Sequence, residues 1–388
     1  MSTETEIKGA KAAEANDDKT NWRYQNKEYN ESFKEWRKQK QNSIGFYVVE
    51  KPNQLTYQDK VGFIHDYPEA REANTFRRVI NILGLILLYR VIFDIFTIYF
   101  LPFILKKMGL DIHYAFFSGA RYGDETLLIV LDTITQVLGR IIPIAILIKH
   151  IQMPFSVMLP MKIINKPLFR FSTPAILLVT GVCTLMSFFY EKLLENFRIT
   201  SVRSLIIPTE PLDIVLFVIQ MILISTVSEL CTHGVLLQFT RQFGEGTALI
   251  ITSLILAFVT YDITIMPLNF IIALVIGYFT IRTGSVITAV IMRIIQRFFV
   301  YSLYFLDYLA DDSYSDTLIA AFFFVTIMAG LMGTIRFFCN YSDRFSITLK
   351  ERYMSISAKI LTAASSVPLI VWFTLSFAVT VLHLEFRI

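Results

Sequence analysis

The sequence predicts an all-α, polytopic membrane helix bundle of eight or nine transmembrane helices with a soluble N-terminal arm. Composition is the first reason. Hydrophobic residues make up 54% of the 388, phenylalanine alone fills 34 positions and the mean hydropathy is +0.53, which a soluble domain does not match. The second reason is the run of apolar segments from Val79 onward. Spanning a bilayer as a helix takes about 20 apolar residues, and a helix lets a spanning backbone satisfy its own hydrogen bonds.

Residues 1–75 are polar and hold no apolar run long enough for a signal peptide. Within this cytoplasmic arm, residues 21–41 are rich in Lys, Arg, Glu, Asn and aromatics. Residues 32–41 carry charge on most faces and have helical potential, and they read as a solvated segment, with a binding element as the alternative. The region 76–210 holds the N-terminal transmembrane helices, with apolar runs at about 79–101, 126–148 and 174–190. The core, 211–309, holds runs at about 212–239, 247–261, 264–281 and 286–309, the second and third being short and separated only by Asp262 and Pro267. The region 310–388 contributes C-terminal helices at about 318–338 and 360–384.

Basic residues beside the spans predict the orientation. With the N-terminus inside, the inner loops hold Lys149, Lys162, Lys166, Arg170, Arg241, Arg282, Arg336, Arg344, Lys350, Arg352 and Lys359. The outer loops hold fewer: Lys106, Lys107, Arg121, Lys192, Arg198 and Arg203. Asp307, Asp311, Asp312 and Asp316 cluster in a loop without a basic residue, which suits the outer face. A cytoplasmic N-terminus follows from this asymmetry. The net charge of +4 comes from juxtamembrane basic residues. No basic patch with interleaved base-stacking aromatics points to nucleic acid, so membrane lipids are the expected surroundings. Cys183, Cys231 and Cys339 lack paired spacing, and the five histidines form no HExxH pair, so neither a metal cage nor another cofactor is expected.

Polar residues inside the spans are costly and mark candidate sites. Arg90 and Asp94 lie one helical turn apart and can neutralise each other, and Asp132, Gln136 and Arg140 repeat that spacing. The structural role, holding helices together, is the ordinary one for such pairs. The fourth span is denser: Ser225, Thr226, Ser228, Glu229, Thr232 and His233 crowd together, with Glu229 and His233 on one face. A buried acid beside an imidazole points to proton chemistry.

Residues 216–299 resemble the core of the CPBP intramembrane proteases, which include the CAAX prenyl endopeptidases and the bacteriocin-processing and self-immunity (Abi) proteins. The family carries EExxxR before a Gly, and here Ser228-Glu229-Leu230-Cys231-Thr232-His233-Gly234 keeps the second Glu and the Gly. The family's FxxxH meets Leu256 and Thr260. Its last motif, a threonine-glycine-serine run leading to a His and an Asn, is followed closely by Thr283-Gly284-Ser285 through Met292. Arg293 then stands at the His position and Arg297 at the Asn position. Between these motifs, Ala273 and Gly277 have the small-xxx-small spacing of close helix approach.

The resemblance implies a glutamate that activates water, with a second glutamate and histidines that orient it and stabilise the oxyanion. Ser228 cannot be the base, and Thr260 cannot shuttle a proton near neutral pH. If the helices pack as in the family, Arg293 and Arg297 project toward Glu229 and occupy its lone pairs. The expected function is therefore that of a catalytically impaired pseudo-protease binding membrane peptides or proteins, with Glu229, His233 and Arg293 as a remnant site. An alternative is an active endopeptidase, of CAAX type or for leader-peptide processing and self-immunity. There Glu229 is the base, His233 its partner and Arg293 the oxyanion donor. Its substrates are lipidated or leader peptides. A third is a transporter-like bundle with Arg90, Asp94, Asp132, Arg140, Glu229 and Arg293 along a pathway, although no internal repeat supports it.

Overall fold

Each apolar run becomes a helix, and the caps sit where short polar side chains precede it. The computed structural model describes residues 27–39, 42–46, 55–58, 62–65, 68–115, 121–201, 208–309, 315–347 and 349–386. Arg203, Asp311 and Asp312, which entered the orientation argument, lie outside these, as does most of the arm. The arm contributes α1 (Lys27–Lys38). Helix α2 (Pro68–Ile95) continues through a π-helical turn to Lys107 as one 40-residue segment. Helix α3 (Glu125–Ile151) starts at Asp124, whose side chain accepts from Leu127 N at 2.9 Å. Helix α4 (Lys166–Asn196) is capped in the same way by Asn165. The core follows as α5 (Pro211–Glu229), α6 (Glu245–Phe258), α7 (Met266–Thr283) and α8 (Val286–Leu309). Helix α9 (Ser315–Tyr341) precedes the pair α10 (Ile356–Ala364) and α11 (Val367–Leu382).

Among the described residues, seven helices are long and apolar enough to cross a membrane. The count is eight if α10 and α11, bent by 75° at their junction, form one broken span. The protein is thus an integral, multi-pass membrane protein. The expected fifth span at 247–261 is the 14-residue α6, about 21 Å long at 1.5 Å per residue. Its end is a turn in which Asp262 Oδ1 accepts from Thr264 N at 2.9 Å. Pro267 sits in the first turn of α7, where its missing N–H costs nothing.

Packing pairs α4 with α9, α6 with α7, α2 with α11 and α3 with α5. Between α4, α7 and α9, Phe171 stacks on Phe337 with ring centroids 4.1 Å apart and meets Phe279. Short strand pairs lie beyond the helix ends. Ile112–Tyr114 pairs with Arg121–Gly123, and Ile199–Ser201 pairs antiparallel with Leu384–Phe386 at the end where α4 and α11 finish.

The arm corrects the solvated reading of 32–41. Tyr29, Phe33 and Trp36 recur at helical spacing along α1, and all three are buried. Tyr29 OH donates to Gln238 Oε1 at 2.6 Å and Trp36 Nε1 donates to Ile151 O at 2.9 Å. The Gln242 carboxamide then pairs with the backbone of the segment that follows, accepting from Phe46 N at 2.7 Å and donating to Ile44 O at 3.1 Å. Charge on the outward faces hid an aromatic seam from the sequence. Lys40 and Gln41 lie outside the described residues.

Candidate functional site

Helix α5 passes into a π-helical segment, Leu230–Leu236, immediately after Glu229. Such segments interrupt the regular ladder and recur at functional positions. Glu229 and His233 are both fully buried, and His233 Nδ1 is hydrogen-bonded to Glu229 Oε2. The other carboxylate oxygen, Oε1, accepts from Arg293 Nε of α8 at 2.6 Å. Arg293 Nη1 also donates to Gln296 Oε1 at 3.3 Å. On its far side, His233 Nε2 lies 3.3 Å from Ala273 O of α7. Helix α7 comes this near because residue 277 is glycine. A Cβ there would lie 3.2 Å from His233 Nε2 and 2.6 Å from Leu249 Cδ2. The C-terminal cap of α7 is Gly284 at φ +72°, a left-handed conformation that glycine adopts freely. Ser285 then anchors the turn into α8, its hydroxyl donating to Met161 O at 2.8 Å.

Glu229 thus takes one partner from its own helix run and one from α8, while α7 backs the imidazole. A guanidinium and an imidazole each hold one of its oxygens in charge-assisted hydrogen bonds, the strong kind in a buried site. His233 faces an acceptor at each ring nitrogen, so both nitrogens are placed to donate.

Beside this cluster lies a cavity of about 570 Å³. Ser228, Thr260, Arg293 and Arg297 line it, whereas Glu229 and His233 sit behind its wall. Thr260 is turned back on its own helix end, its hydroxyl donating to Ala257 O at 2.7 Å. Arg297 corrects the expectation that two arginines meet Glu229: among the described residues it makes no hydrogen bond or ion pair. One turn of α8 carries it about 6 Å further along the axis than Arg293.

The opposite wall brings together the polar stripes of α2 and α3. Asp94 Oδ2 lies 3.4 Å from Arg90 Nε and accepts from Tyr261 OH at 2.9 Å. Asp132 accepts from Gln136 Nε2 at 3.1 Å and, across from α5, from Gln220 Nε2 at 3.0 Å. Arg140 Nη1 donates to the Gln136 carbonyl at 2.7 Å. Of the six residues expected along a pathway, all but Glu229 line this cavity. Sequence reasoning missed Gln220, Tyr261 and Gln296, each a partner of a charged group. Their only signal was a lone polar side chain in or beside an apolar helix. Among the described residues, no three His, Cys, Asp or Glu side chains are placed to share a metal ion.

Residues 210–299, from the start of α5 to well within α8, match the family model of Rce1-like type II CAAX prenyl endopeptidases. The chain carries an Rce1-like CAAX endopeptidase domain. Comparison with the curated proteins and with the solved structures gave no match. The domain holds all the residues that carried the resemblance: Ser228, Glu229 and His233 on α5 and its π-helical extension, Thr260 after α6, and Arg293 and Arg297 on α8. The helices α2 and α3, which supply the other wall of the cavity, lie outside it.

Proposed function

We propose that this membrane protein of the CAAX protease family is a pseudo-protease: it keeps the helical scaffold and uses it to bind membrane peptides or proteins, without cleaving them. The observation that carries this reading is the 2.6 Å contact of Arg293 Nε with Glu229 Oε1. A general base needs its carboxylate within reach of a water and free to take a proton. Glu229 has His233 on one oxygen, Arg293 on the other and no surface on the cavity. The losses at Ser228, Thr260, Arg293 and Arg297 point the same way, since removing several members of a cooperative site takes away most of its rate. We place the N-terminus on the cytoplasmic side, following the excess of Lys and Arg in the loops on that side.

Purified protein in detergent, offered prenylated and leader-bearing peptides, is expected to leave them intact while binding them. Cleavage that disappears in Glu229→Gln would establish the competing reading, an active endopeptidase of CAAX or self-immunity type with Arg293 as its oxyanion donor.

A further inference from the structure

Beyond Glu229, the cavity carries a charge imbalance that the peptidase scaffold does not account for. Five arginines line it: Arg90, Arg121, Arg140, Arg293 and Arg297. Against them stand Asp94 and Asp132 in the lining and Glu229 behind Arg293, which leaves two positive charges over. The pairing is uneven as well. Among the described residues, Arg140 and Arg297 have no carboxylate within ion-pair distance, and the buried Arg140 Nε has no hydrogen-bond partner. Arg140 is also close enough to Arg90 and Arg297 to be repelled by both, more strongly than Asp94 and Asp132 attract it. Asp132, the nearest acid on α3, is engaged by the carboxamides of Gln136 and Gln220.

Guanidinium groups that face one cavity of a membrane bundle in excess over the acids around them call for an anion between them. Their planar forks fit the oxygens of a carboxylate or a phosphate, and the amount of charge separates the two. A carboxylate supplies one negative charge, whereas a phosphate monoester supplies about 1.5 to 2 at neutral pH. About 570 Å³ accommodates such a group with part of whatever carries it. We propose that the cavity binds a phosphate monoester or phosphate ion, with Arg140 and Arg297 as its principal anchors. The inference holds whether or not Glu229 is catalytic.

The test is thermal unfolding of the purified full-length protein in detergent, titrated with inorganic phosphate, with phosphatidate in mixed micelles, and with a peptide bearing a free C-terminal carboxylate. The melting temperature is expected to rise with phosphate or phosphatidate. A response to phosphatidate alone identifies a lipid headgroup as the source, and a response to both identifies the phosphate itself. In Arg140→Gln and Arg297→Gln the half-saturating concentration should rise roughly tenfold or more, the scale of a lost charge-assisted contact. Without ligand these variants should melt close to the parent, because among the described residues neither arginine holds an ion pair. Arg297→Lys keeps the charge and loses the fork, and should weaken binding while folding normally. The proposal is overturned if neither phosphate ligand raises the melting temperature. It is equally overturned if all three substitutions leave the response unchanged, or if the carboxylate peptide stabilises the protein as well as phosphate does. None of these readouts depends on peptide cleavage, so the proposal and the pseudo-protease reading can fail separately.

Discussion

A carboxylate deep in a membrane bundle persists only with partners, and Glu229 takes two. One of them is Arg293, and a guanidinium at that place limits the chemistry because it stays charged and donates without accepting. Arg293 therefore holds its proton and cannot take another. Truncating one member of a buried ion pair leaves the other uncompensated, at a cost of about 3–5 kcal/mol. Arg293→Ala is therefore expected to lower the melting temperature in detergent markedly. An unchanged melt would mean that His233 alone holds the carboxylate. Gly277 acts at the same scale without any charge, since only the lack of a side chain lets α7 bring Ala273 O to His233.

Helices α1 and α6 departed most from their sequence reading, for opposite reasons. Helix α1 has three aromatic residues spaced among charges, too sparse to register as a membrane or core element. Its seam became visible only when Gln238, Ile151 and Phe239 supplied the other side. Helix α6 is apolar enough for a span but short, because Asp262 and Thr264 close a turn after it. Docking of α1 depends on Trp36, which is 1% exposed. Trp36→Ala should destabilise this end by about 3–5 kcal/mol, the usual cost of truncating a large buried aromatic. Limited proteolysis should then release the arm earlier than in the parent protein. Equal digestion rates would show that the rest of the seam holds α1 unaided.

Over the whole molecule the two ends differ. One gathers α1, the end of α3 and a buried charge cluster in which Lys359 Nζ lies 3.0 Å from both Glu72 Oε1 and Glu351 Oε2. The other gathers the pairing of Ile112–Tyr114 with Arg121–Gly123 and that of Ile199–Ser201 with Leu384–Phe386. Lys359 was counted among the loop cations on the inner side, and Arg241, counted with it, is buried in a 3.1 Å pair with Glu245. The positive-inside rule counts Lys and Arg near span ends and gives acids little weight, so the proposed orientation rests on the remaining loop cations as well. An epitope at residue 1 should accordingly be digested by protease added to the cytoplasmic face of sealed vesicles and protected from the other side. The reverse pattern would invert the topology.

By itself the sequence determined the membrane class, the order of the helices, the polar stripes at one-turn spacing and the location of the family-like core at α5 to α8. These are local properties, written in composition, hydrophobic run length and residue spacing. Only the tertiary structure decided which charges meet. Arg293 and Arg297 are equivalent in spacing arguments, yet one pairs with Glu229 and the other lines a cavity with Arg140. Gln220 meets Asp132 across 88 positions of chain, and Tyr261 meets Asp94 across 167. The reason is physical: the side a residue presents within its helix follows from periodicity, whereas the partner it meets depends on how helices distant in sequence rotate and pack.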